Sequence, residues 1–172
     1  MLLKRLLTAV VLIPLVVIAT LKFDSSGFAL VMMPVLVISS WEFSGLIQIK
    51  HWAAKALYTV VLMTTAYFLN KEPSLLMPLL IITLLWWAIN SYWVISFPKH
   101  TNFWYNYMAT RLINGIFFFV PLLVALSALH QLDSTLVLLL LALIWAADSG
   151  AYFVGRTIGK NKLLPTVSPN KT

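Results

Sequence analysis

Six largely apolar runs succeed one another along this chain, each long enough or nearly long enough to cross a bilayer. They cover Leu6–Leu21, Gly27–Ile49, Trp52–Leu69, Leu75–Ile95, Leu112–Leu129 and Leu136–Val154. A hydrocarbon core of about 30 Å takes roughly 20 helical residues, and each backbone N–H inside lipid must find its acceptor within its own helix. The runs therefore predict an all-α fold, a polytopic transmembrane helical bundle of about six spans. Of the 172 residues 61% are hydrophobic and 10% charged, against about 25% charged in a soluble domain, which excludes a soluble globular enzyme. The net charge of +7 does not make a nucleic-acid binder, because Leu, Val, Ile and Phe, rather than polar sequence, separate the basic residues. With no cysteine, disulfides, thiolate zinc sites and a cysteine nucleophile are excluded, and a metal needs oxygen or imidazole ligands.

The links between runs are short and polar: Asp24 to Gly27, Lys71 to Pro73, Gln131 to Ser134. Neighbouring spans should run as antiparallel hairpins. Basic residues then alternate between the two faces. Lys4, Arg5, Lys50, Lys55, Lys99, Arg111, Arg156, Lys160, Lys162 and Lys171 fall on one side and only Lys22 and Lys71 on the other. Because cytoplasmic loops hold the excess of Lys and Arg, both termini are expected in the cytoplasm, with the chain a multi-pass protein of the inner (plasma) membrane. Met1 to Thr20 also has the build of a secretory signal, but its removal would explain nothing further in the charge pattern, so it is read as a retained span. Pro14, Pro34, Pro78 and Pro121 inside the runs suggest kinked helices around a cavity, although prolines are common in membrane helices. Trp41, Trp52, Trp86, Trp87, Trp93 and Trp104 read as interfacial anchors.

Of five carboxylates, Asp24, Glu72 and Asp133 lie in the outer links, where a hydrated turn residue is expected. Glu42 and Asp148 lie toward the cytoplasmic ends of spans, and an acid within a membrane helix costs about 2.5 to 3.5 kcal/mol on insertion scales unless it finds a partner, water or a metal. Glu42 is open to an interfacial or a functional reading. If the last helix continues, Asp148, Tyr152, Gly155 and Gly159 share one face. The glycines on it permit close approach by a ligand or simply by another helix. Beyond them Lys160, Lys162, Ser168, Pro169, Asn170, Lys171 and Thr172 form a polar segment whose ammonium groups and hydroxyls suit phosphate oxygens. The ordinary reading of such a segment is a solvated tail that sets topology. His51, His100 and His130 are widely spaced and read as polar loop residues.

Taken together, Trp145 to Arg156, then Gly159, Lys160, Lys162, Leu163, Pro165 and Val167 to Thr172, closely resemble bacterial phosphatidate cytidylyltransferase, also called CDP-diacylglycerol synthase. Lys4, Arg5, Leu6, Ala9, Leu12, Ile13 and Pro14 at the start, and the Trp41–Glu42 pair, resemble the same family, so the likeness spans residues 1–172 as one transmembrane domain. Family members continue past the Ser-Pro-x-Lys-Thr element into further spans bearing His-Gly-Gly and Asp-Arg-x-x-Asp. That catalytic signature region is absent here, so the chain resembles the family's amino-terminal part: a truncated product, one half of a split enzyme or an incomplete sequence.

The resemblance implies an enzyme that joins CTP and phosphatidic acid into CDP-diacylglycerol and diphosphate in phospholipid biosynthesis. The alternative is a noncatalytic scaffold or remnant of that family. The nucleophile would be a phosphate monoester already mostly ionised at neutral pH, so the site must supply alignment and charge cancellation, work for Mg²⁺ and for Lys or Arg. On this resemblance Asp148 and Lys171 are the catalytic candidates and Asp148 is also the metal candidate. Tyr152, Arg156, Lys160, Lys162, Ser168 and Thr172 are the substrate-binding candidates. Its partners would be CTP, phosphatidic acid, the lipid bilayer, and either a separately encoded carboxy-terminal half or a second copy; no nucleic acid is expected.

Overall fold

The computed structural model describes residues 2–97, 99, 106–168 and 171, with side chains from residue 10 onward. Among these residues the fold is all helical. The helices are α1 (Leu2–Lys22), α2 (Ser25–Leu46), α3 (Trp52–Asn70), α4 (Leu76–Ile95, entered through a 3-10 turn at Pro73–Leu75), α5 (Met108–Leu132) and α6 (Ser134–Thr157). Five helices are long and apolar enough to cross a membrane; the apolar part of α1, Val10–Lys22, is shorter. This is a multi-pass membrane bundle with five helices of spanning length and, in α1, a shorter apolar stretch where the sequence reading has a sixth span.

The helix ends follow local chemistry. Asp24 caps α2 by accepting from the Gly27 N–H at 3.0 Å, and the His51 ring nitrogen caps α3 by accepting from the Ala53 N–H at 3.3 Å. Asp133 is the whole link between α5 and α6: it ends the first with φ −165° and caps the second. The second apolar run was read to Ile49, yet α2 stops at Leu46. There the Ile49 N–H donates to the Ser44 carbonyl and the Gln48 N–H to the Gly45 carbonyl, both at 3.0 Å, a paired C-terminal motif that needs a left-handed residue between them. Gln48 supplies it at φ 68°, a place usually held by glycine. Ile49 then turns back into the core, 8% exposed, which is why an apolar residue follows the helix end.

α5 is the central helix, packed against α2, α3, α4 and α6, while α1 lies against α2 and α6. The core gathers Leu36, Leu62, Ala66, Phe119, Val120, Leu123 and Val124. Most other large apolar side chains, such as Leu30, Leu84 and Leu143, point outward, as they should in hydrocarbon, where close packing and interhelical hydrogen bonds rather than water exclusion hold helices together. Such bonds from three residues fix the antiparallel layout. The Tyr58 hydroxyl on α3 donates to the Leu112 carbonyl on α5 at 2.8 Å. Arg111 on α5 donates from Nη1 to the Ile47 carbonyl at the end of α2, at 3.0 Å. At the opposite end the His130 ring lies 2.9 Å from the Thr20 carbonyl and 3.1 Å from Ser25 Oγ. Lys50, Lys55, Arg111 and the basic tail after α6 therefore share one end of the bundle, and Lys22, Lys71, Asp24, Glu72 and Asp133 the other.

Several expectations need correction. His130 is no loop residue: it sits inside α5, 7% exposed, stacked on Phe28 at 4.3 Å between ring centroids, and it ties together three helices. Trp86 is more than an anchor, for its indole N–H donates to Asn114 Oδ1 at 2.9 Å and joins α4 to α5. Trp104 and His100 lie outside the described residues, as do the side chains of Lys4 and Arg5. Pro14, Pro34 and Pro121 lie inside helices, but Pro78 occupies the first turn of α4, where a missing N–H costs nothing. Two cavities lie between neighbouring helices, and none of these prolines lines either of them.

Candidate functional site

The residues singled out by sequence lie on α6 and the segment that follows it. Asp133 starts this helix by accepting from the Thr135 N–H at 2.8 Å and the Thr135 hydroxyl at 2.7 Å, and these bonds hold its carboxyl below the ordinary range. From there α6 runs unbroken to Thr157, so Asp148, Tyr152 and Gly155 do share a face. Gly159 does not, because the helix has already ended: the N–H groups of Ile158 and Gly159 both return to the Val154 carbonyl, at 3.0 and 3.2 Å. Asp148 lies nine residues before the end of α6, about 14 Å along its axis, deeper than the sequence boundary at Val154 implied.

Residues 142–154 of α6 are all exposed, and a Cβ on Gly150 would meet nothing within 4 Å. Asp148 therefore presents its carboxylate on an uncovered face. One turn on, Arg156 Nη1 donates to the Tyr152 hydroxyl at 3.1 Å, so these two candidates form a unit. The tail closes on itself: the Leu163 N–H donates to the Lys171 carbonyl at 3.1 Å, and the Ser168 N–H to the Leu164 carbonyl at 2.9 Å. This brings Lys162, Ser168 and Lys171 into one loop, with Lys160 just before it. Thr172, like Pro169 and Asn170, lies outside the described residues. Glu42 is exposed one turn before the end of α2.

Whether Mg²⁺ fits can be asked of the donors. Among the described residues no three His, Asp or Glu side chains gather into a cluster. On the α6 face the described residues offer such an ion a single exposed carboxylate, Asp148, which fits a Mg²⁺ that keeps waters and takes its remaining ligands from substrate phosphates, but they do not build a cage.

A family model described as the cytidylyltransferase family matches residues 3–172. The chain belongs to the cytidylyltransferase family. It is 32% identical over its whole length to a phosphatidate cytidylyltransferase of Pseudomonas aeruginosa, covering 64% of that protein. To the protein of the same name from Haemophilus influenzae it is also 32% identical over its whole length, covering 66%. A 44-residue segment is 52% identical to that of Bacillus subtilis. The chain thus spans somewhat under two thirds of the length of the first two relatives. No solved structure matches.

Sequence reasoning about this family member counted Arg111 only as a topology marker and did not foresee its bond to the Ile47 carbonyl. The available signal was Arg111 and Asn114 one helical turn apart, at the mouth of an apolar run.

Proposed function

We propose that this chain is the amino-terminal membrane portion of a phosphatidate cytidylyltransferase of the inner membrane. The reaction would have a phosphate oxygen of phosphatidate attack the α-phosphorus of CTP. A new P–O bond forms, the bond to the β-phosphate's bridging oxygen breaks, and diphosphate leaves. The observation that carries this reading is the match along the whole chain to relatives of that name. Exposed Asp148 supports it, together with a loop that gathers Lys162, Ser168 and Lys171 at the basic end of the bundle.

In this reading Lys160, Lys162, Lys171, Ser168 and Thr172 bind and orient phosphates, offsetting the repulsion between two anionic reactants. Arg156, braced by Tyr152, adds a planar donor pair for a phosphate oxygen. Asp148 would hold a Mg²⁺, which when bound supplies charge neutralisation at the phosphates. No strong general base is needed, since the attacking monoester is largely ionised at neutral pH. The acyl chains stay in the bilayer while the headgroup meets CTP at the aqueous boundary.

Membranes carrying the chain, with and without the further third found in its relatives, should be given labelled CTP, phosphatidate and Mg²⁺. Lipid-soluble labelled CDP-diacylglycerol is expected when the further third is supplied, as a fused or separate chain. Absence of product in both arms would favour a second reading, a noncatalytic member of the family, which the lack of a carboxylate cluster among the described residues independently suggests.

A further inference from the structure

α2 and α4 both pack along α5, and at the basic end a cavity of about 390 Å³ opens between them. Its polar residues are Gln48, Asn90, Arg111 and Asn114, and among the described residues no carboxylate lines it. Arg111 is committed through Nη1 to the Ile47 carbonyl, one of the carbonyls that a helix end leaves without an intrahelical donor. Its Nε is buried and has no acceptor among the described residues. A guanidinium carries five N–H donors in a fixed fork, and the one bond to Ile47 leaves other donors of that fork for an oxyanion in the cavity. Asn114 has its carbonyl oxygen occupied by Trp86, which leaves its NH₂ group as the donor it can offer.

The cavity walls bear on the identity of that anion. Leu46, Trp87 and Phe118 line it and are 80%, 42% and 46% exposed, so the polar floor is reached past apolar surfaces that face hydrocarbon. A free phosphate in water gains nothing from such walls. A phospholipid uses both parts, its phosphate on Arg111 and its upper acyl chain against Trp87 and Phe118. With one cation and no acid among the described residues of the lining, the pocket offers a choline or ethanolamine ammonium no ion pair, only aromatic faces, whereas Arg111 pairs with the phosphate, and an anionic headgroup is favoured.

We propose that this cavity is a binding site for the phosphate of an anionic phospholipid, anchored by Arg111 and distinct from the α6 face that bears Asp148. The site does not depend on the reaction proposed above, and its test reads lipid occupancy rather than turnover.

The whole chain is reconstituted in phosphatidylcholine nanodiscs containing a small fraction of diazirine-bearing phosphatidic acid or, in parallel, diazirine-bearing phosphatidylcholine. Adducts are mapped by peptide mass spectrometry. The acidic probe should label the end of α2, the second half of α4 and the start of α5 about tenfold more than the zwitterionic one, a difference near 1.4 kcal/mol. Arg111→Gln should erase that preference, and Arg111→Lys should keep much of it. Because Arg111 also caps α2, Leu46→Trp serves as the variant that spares the Ile47 bond: it fills the mouth of the cavity from an exposed position and should abolish labelling inside it. Excess inorganic phosphate should not compete. Equal labelling by the two probes would overturn the proposal and leave Arg111 as a helix cap alone. So would full labelling of a folded Arg111→Gln or Leu46→Trp protein. Displacement by inorganic phosphate would overturn the assignment to lipid in favour of a soluble anion.

Discussion

Gly115 shows how tightly α3 and α5 approach. A Cβ there would run into the Tyr58 hydroxyl and come within 2.7 Å of the Phe43 ring, while the same hydroxyl donates to the Leu112 carbonyl. Tyr58 is 8% exposed and its neighbours are core side chains, so neither partner can step aside without repacking. Gly115→Ala should destabilise the bundle by about 1 to 3 kcal/mol, the usual cost of overpacking. Tyr58→Phe should cost about 0.5 to 1.5 kcal/mol for one hydrogen bond. The double variant should lose less than the sum, because removing the hydroxyl relieves part of the clash. Thermal unfolding in detergent for the four proteins of this cycle checks the prediction; strict additivity would show that Tyr58 and Gly115 do not meet.

Among the elements, α6 combines an anchored start with an open end. The Thr135 hydrogen bonds that stabilise ionised Asp133 lower its pKa in the folded chain. The cap therefore contributes fully above the unfolded carboxylate pKa, and its contribution fades as pH falls through the lower folded value. Amide exchange at Thr135 should accelerate in that acid range, and Asp133→Asn, which can still cap, should remove the pH step. Unchanged exchange across the titration would show that the cap does not hold this end of α6. At the other end, Asp148 is exposed, so Asp148→Asn should leave the melting temperature of the chain within about 0.5 kcal/mol equivalent of the parent. In a protein completed with the further third of its relatives, the same change should lower CTP-dependent turnover by at least about 100-fold if the carboxylate binds metal at the reacting phosphates. Parental turnover would take Asp148 out of the proposed mechanism.

At the scale of the whole molecule, the layout of ends is what makes a site at the basic face conceivable. The interhelical bonds of Tyr58, Arg111 and His130 put the tail after α6 at the same end as Lys50, Lys55 and Arg111. Since the chain has no cysteine, single cysteines can be introduced one at a time and probed with an impermeant reagent in sealed membranes. Cysteines at positions 50, 160 and 171 should react from one side and those at 22 and 71 from the other. Reaction of 71 and 171 from the same side would break the antiparallel arrangement and with it the proposed phosphate-binding loop.

The helices themselves could be read in the residues alone. Lipid forces each span to satisfy its own backbone, a local requirement that leaves a long apolar run and a polar link as its trace. The likeness around Asp148 to Lys171 was equally local, since those residues are close neighbours in the chain. What the residues could not say is which faces meet. Helices that are apolar nearly all round carry little amphipathic pattern to mark an inner side, so His130, Trp86 and Arg111 looked like loop, anchor and topology marker. Tertiary packing alone brought His130 to Thr20, Trp86 to Asn114 and Arg111 to Ile47. In hydrocarbon a polar group has no water to turn to, and these contacts across distant parts of the chain give each of the three a hydrogen-bonding partner.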